Sequence, residues 1–74
     1  MDKRYVKRFL KENNIKYYEN DRGGFTDFYL EDYSKIYSIN CYYNNCEILV
    51  KGDNNIEHYD CDKFLRLDFL EDYK

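Results

Sequence analysis

A chain of 74 residues has room for one domain, near the size at which a single apolar core can support itself without staples, and this argues against a deep, water-excluded active site. The composition, 43% apolar and 36% charged with ten Tyr and five Phe, belongs to a folded domain whose core relies on aromatic rings. A formal charge of −3 and a pI of about 5.0 depart from the net basic field usual in nucleic-acid-binding domains.

The abundance of Asn, Lys, Tyr and Ile, residues with AT-rich codons, in so short a chain points to a low-GC bacterium or one of its phages. The first residues, MDKRYVKRFLKENN, are charged throughout and lack the apolar run of a signal peptide, and no stretch has the length of a membrane span. Three cysteines, an odd number, fit a reducing compartment better than a disulfide framework. A cytoplasmic protein with reduced thiols is therefore expected.

The elements begin with a helix over residues 2 to 14, where Val6, Phe9 and Leu10 with Tyr5 repeat at helical spacing and Asn13 and Asn14 supply the stop. From Ile15 the period shortens. IKYYEN and FTDFYLE read as two strands joined by a loop over Asp21–Gly24, although FTDFYLEDY also suits a short helix capped by Thr26.

The next hairpin is the clearest. With Asn44 and Asn45 as a two-residue turn, Tyr43 faces Cys46, Cys41 pairs with Ile48 and Ile39 with Val50. Asn40, Tyr42, Glu47, Leu49 and Lys51 then fall on the opposite face, as a half-buried antiparallel sheet requires. This register makes Cys41 and Cys46 diagonal neighbours about 7 to 8 Å apart, beyond disulfide reach.

GDNN forms the next turn and IEHYD a polar edge strand. The last run, DCDKFLRLDFLEDYK, reads as one helix capped by Asp60 or Asp62, with Phe64, Leu67 and Leu70 in a row and Leu65 and Phe69 beside it. The expected architecture is a single α+β domain over residues 1–74. It has an N-terminal helix, a meandering antiparallel sheet of four or five strands and a C-terminal helix, with both helices on one sheet face. Phe9, Ile39, Cys41, Ile48, Val50 and Leu67 are the expected core.

No catalytic or phosphate-binding signature is present, so the chain reads as non-enzymatic and free of cofactors. A Cys-His nucleophile would need an oxyanion hole, and the few serines and glycines offer none. Cys41, Cys46, His58 and Cys61, spaced C-x4-C-x11-H-x2-C, are a chemically valid zinc set, but a four-residue gap across a flat hairpin converges poorly on one ion. Space-filling thiols and a surface histidine carry more weight. GDNNIEHYDCD lacks the sixth-position glycine and closing glutamate of an EF-hand calcium loop.

Charge is unevenly spread. Lys3, Arg4, Lys7, Arg8 and Lys11 make the first helix basic, which allows a nucleic-acid reading with Tyr42 stacking on bases, against the plainer reading of a solvated helix face. Elsewhere Glu19, Asp21, Asp27, Glu31 and Asp32 interleave with tyrosines that include Tyr29 and Tyr33. Acid-plus-tyrosine surfaces suit a basic protein partner. The function expected is a phage or mobile-element protein that binds and blocks a host nucleic-acid-handling or defence protein of the CRISPR type.

Overall fold

Asp2 starts the first helix, its carboxylate accepting hydrogen bonds from the backbone N–H groups of Arg4 and Tyr5 to cap α1 (Lys3–Glu12). A computed structural model describes residues 1–74. After α1 come β1 (Tyr17–Arg22), β2 (Phe25–Leu30), β3 (Ile36–Tyr42), β4 (Asn45–Lys51) and β5 (Ile56–Asp60), then two short helices, α2 (Cys61–Phe64) and α3 (Leu67–Glu71). The strands form one antiparallel sheet in sequence order, the expected meander with five members.

The asparagines end α1 as expected. Asn14 takes a left-handed φ of 56°. The N–H of Asn14 donates to the carbonyl of Lys11, and that of Ile15 donates to Leu10 at 2.9 Å. This Schellman closure satisfies the last carbonyls and turns Ile15 into the core. FTDFYL is a strand, not the alternative helix: each of its residues pairs with β1, so the exposed rings of Phe25 and Tyr29 lie on one face and Phe28 and Leu30 on the other. The loop expected over four residues contracts to Gly23 and Gly24, with Gly23 at φ 71° and Arg22 already paired with Phe25.

One sheet face carries the core. Phe28, Leu30, Ile39, Cys41, Cys46, Ile48 and Val50 pack there against Val6 and Leu10 of α1 and against Cys61, Leu65 and Leu70, so the helical segments share that face. Phe9, expected in the core, is only half-buried at its margin. No helix is long and apolar enough to cross a membrane.

Three local expectations need correction. The β3–β4 turn is Tyr43–Asn44, not Asn44–Asn45, and the strands pair two residues closer than expected: Cys41 lies opposite Cys46, and Ile39 opposite Ile48. The same face is buried, since a shift of two preserves side-chain alternation. As a result the thiols are not diagonal neighbours. Their Cα atoms stand 4.1 Å apart and a disulfide joins them, so they are not the reduced pair expected, and Cys61 alone remains a free, buried thiol.

Finally, the C-terminal helix is broken. Asp60 caps α2 through the N–H of Asp62, but Arg66 is extended (φ −140°, ψ 150°) and α3 starts afresh. In one continuous helix Leu65 and Leu70 would point about 140° apart at 100° per residue. The break resets the phase, so that both bury with Cys61, while Leu67, expected in the core, is left 41% exposed.

Candidate functional site

The helices leave the second face of the sheet open, and the register arranges its side chains in rows across the strands. The middle row is polar: Asn20, Asp27, Asn40, Glu47 and Asp60 are successive partners from β1 to β5. The row toward the β3–β4 turn holds Arg22, Phe25, Tyr42 and Asn45. On the other side lie the paired Tyr18 and Tyr29 and the paired Leu49 and His58. A bulge between Ile36 and Ser38 turns both Tyr37 and Ser38 toward the recess that Asp27, Tyr29, Asn40 and Leu49 line.

Asp27 organises this face. Although an aspartate, it is only 5% exposed, and its carboxylate accepts from Arg22 Nε at 2.7 Å, Arg22 Nη2 at 3.3 Å and Asn40 Nδ2 at 2.6 Å. Burial pushes its pKa up, but the hydrogen bonds from Arg22 and Asn40 outweigh burial and hold the carboxyl below the ordinary 3.8. Arg22, so oriented, lies over the ring of Phe25 at 5.3 Å.

From Phe25 an aromatic stack runs to the hairpin tip. Phe25 stacks on Tyr42 at 4.4 Å between centroids, and Tyr42 lies 4.3 Å from Tyr43. Gly24 lies under this stack, and a Cβ there would stand 3.4 Å from the Tyr42 ring. Tyr43 is 73% exposed and holds the turn's left-handed φ of 55°, a conformation disfavoured for a bulky residue. The Cys41–Cys46 disulfide closes the hairpin directly behind it. Tyr18 and Tyr29 form a second stacked pair across β1 and β2 at 6.3 Å.

The acid-and-tyrosine set expected to meet a partner is dispersed. Asp27 and Tyr29 share the open face. Glu19 and Asp21 instead turn to α1, where Lys7 meets Glu19 at 3.0 Å and Lys3 meets Asp21 at 3.6 Å. Glu31 and Asp32 are exposed just after β2, and Tyr33 is a core residue, 5% exposed, so its ring is no contact surface. Alternation along β1, β2 and β3 was the signal that groups Arg22, Phe25 and Tyr42 with Asp27 and Tyr29; proximity in sequence was the misleading one.

The basic helix is largely paired. Besides Lys3 and Lys7, Arg4 binds Asp2 at 2.8 Å and Arg8 meets Glu12 at 3.7 Å, leaving only Lys11 without an acid partner. Glu19 raises the Lys7 pKa by hydrogen bond and charge. Tyr42 and the body of α1 lie on opposite sides of the sheet, so they cannot grip one strand of nucleic acid together. Only at the tip do the helix and the hairpin turn meet, where Asp2, Lys3, Arg4, Gly23, Gly24, Thr26, Tyr43 and Asn44 line a shared recess and the N-terminal amine donates to the Asn44 carbonyl at 3.1 Å.

The four zinc-ligand candidates do not converge. Cys41 and Cys46 are bonded to each other, and Cys61 lies with them on the core face. His58 pairs with Leu49 on the open face, where its Nδ1 stands 3.4 Å from Glu47. The sheet itself separates the imidazole from the sulfurs. Comparison of this chain with protein-family models, with curated proteins and with solved structures found no match.

Proposed function

We propose that this chain is a small acidic, non-enzymatic protein-binding module of phage or mobile-element origin. It acts stoichiometrically, inhibiting a host nucleic-acid-handling or defence protein of the CRISPR type; the cytoplasmic placement then rests on the charged N-terminal residues, since the Cys41–Cys46 bond removes the argument from reduced thiols. The observation that carries this reading is the exposed stack Phe25–Tyr42–Tyr43, held at the tip of a disulfide-closed hairpin with Tyr43 in a costly backbone conformation. Rigid exposed aromatics are the commonest anchors of protein interfaces, and stored backbone strain gathers at functional positions. The charge of −3 suits a partner with a basic surface.

The test pairs capture with inhibition. The tagged protein is used to retain partners from a low-GC bacterial lysate at modest salt, and the partner is then purified and assayed. Inhibition should saturate at one chain per partner and fall at least tenfold in potency for the Tyr42→Ala, Tyr43→Ala double variant. If nothing is retained, or if the double variant inhibits equally well, the reading is wrong.

A second reading draws on the recess where Lys3 and Arg4 adjoin Tyr43: a single strand of nucleic acid stacking at the tip. A gel shift that weakens steeply with salt supports it, and no shift at low salt removes it. The acids already paired with these bases weigh against it.

A further inference from the structure

β5 ends the sheet, and no backbone hydrogen bond outside the β4 ladder reaches Ile56 or His58. Which of its groups face outward follows from the hairpin before it. Tyr42 and Asn45 flank a two-residue turn as a hydrogen-bonded pair, which makes Cys41–Cys46 a non-hydrogen-bonded pair, in keeping with its 4.1 Å Cα separation. Alternation then turns the backbone of Ile48 and Val50 toward β5, where they meet Tyr59 and Glu57. β5 commits Glu57 and Tyr59 to the ladder and points the N–H and C=O groups of Ile56 and His58, and the N–H of Asp60, away from the molecule.

The opposite edge carries paired charges beside it. Beside β1, Lys3 and Lys7 reach across from α1 to Asp21 and Glu19, and edge lysines are a standard device against strand pairing. β5 has no lysine, proline or bulge; its charged residues are Glu57 and Asp60, and Ile56 is 41% exposed.

We propose that a second copy of this chain pairs antiparallel along β5, with the two-fold axis at His58. Three registers are worth comparing. Centred on Glu57, the pairing sets two glutamates directly opposite. Centred on Tyr59, it runs the second strand into Cys61 at the start of α2 and leaves Ile56 without a partner. Centred on His58, all five residues engage: Ile56 opposite Asp60, Glu57 opposite Tyr59 and His58 opposite its own copy. No acid then faces an acid, and each Glu57, which accepts from Tyr59 of its own chain at 3.2 Å, gains a second tyrosine across the junction. The two open faces become one continuous ten-stranded surface. This pairing does not depend on the partner reading above.

So short an edge buries less surface than the roughly 1,200 Å² of stable complexes, so the test extends to high concentration. Light scattering and sedimentation over a concentration series to about 1 mM should show the mass rise from 9.2 kDa toward twice that value. His58→Glu and His58→Lys each place like charges on the axis, so each variant alone should remain a single chain. An equimolar mixture of the two should recover the double mass, because glutamate then faces lysine. Circular dichroism establishes that both variants are folded. A parent that stays at 9.2 kDa throughout overturns the proposal. So does a folded variant that still pairs alone, or a mixture that does not.

Discussion

Arg22 and Asp27 are diagonal neighbours on adjacent strands: Arg22 is paired with Phe25 and Asp27 with Asn20, yet the guanidinium reaches back to both carboxylate oxygens at 2.7 and 3.3 Å. The carboxylate is buried while the guanidinium stays half in water, so Asp27 depends on the pair far more than Arg22 does. Asn40 completes the set from the third strand, tying β1, β2 and β3 together on the open face.

The pH dependence follows from the lowered pKa of Asp27. A depressed carboxyl contributes stability that is present above its ordinary value of 3.8 and is lost as pH falls through the lower folded value. Denaturant melts between pH 6 and pH 2 should show this loss, and Asp27→Asn should flatten the slope. Asp27→Ala, which leaves the amide of Asn40 without its acceptor, should cost about 1–3 kcal/mol at pH 7.

The disulfide closes a short loop, with a sequence separation of 5. Chain entropy for a loop of that size amounts to about 2 kcal/mol, which for a domain of this length is roughly 8 to 16 °C in Tm. Melting with and without reductant should show a drop of that order. Cys61 should behave differently, since burial, followed by the charges of Asp60, Asp62 and Glu47, pushes its thiol up to about 12. Iodoacetamide at pH 8 should leave the native protein unlabelled and, without reductant, should add one label per chain after denaturation. Three labels under those conditions would mean that the disulfide is absent.

Tyr43 has opposing local effects. A left-handed φ costs a side chain about 1–2 kcal/mol, while an aromatic pair contributes about 0.5–1.5 kcal/mol. Tyr43→Gly relieves the first and loses the second, so its unfolding free energy should stay within about 1 kcal/mol of the parent. Equilibrium denaturation measures this, and a large loss would show that the exposed ring supports the fold.

The broken C-terminal helix makes two leucines unequal. Leu70 is fully buried and Leu67 is not. Leu70→Ala should cost about 2–5 kcal/mol, as for other buried leucines, and Leu67→Ala less than about 1 kcal/mol. Similar costs at the two positions would favour the continuous helix.

The open face shows where sequence reading stops. In the sequence Asp27 is one of several acids expected to meet a partner; its burial depends on an arginine and an asparagine brought from two other strands. The grouping of Glu19 and Asp21 with nearby tyrosines followed proximity along the chain, whereas the pleat sends them to the lysines of α1. His58 and Cys61 are close in sequence, yet the imidazole lies on the open face while Cys61, at the start of α2, is buried on the core face.

Local chemistry determined the first helix, its stop at Asn13 and Asn14, the strand character of the segments that follow and which face of β3 and β4 is buried. These depend on periods of 3.6 and 2 that are complete within each segment. The turn at Tyr43, the Cys41–Cys46 bond and the break at Arg66 were decided by tertiary packing. Sliding β3 past β4 by two residues returns every side chain to its own face, so alternation cannot distinguish the two registers. The choice falls to the stacking of Ile39 on Ile48 and of Cys41 on Cys46 against the helices, with the strain of the turn passed to an exposed tyrosine.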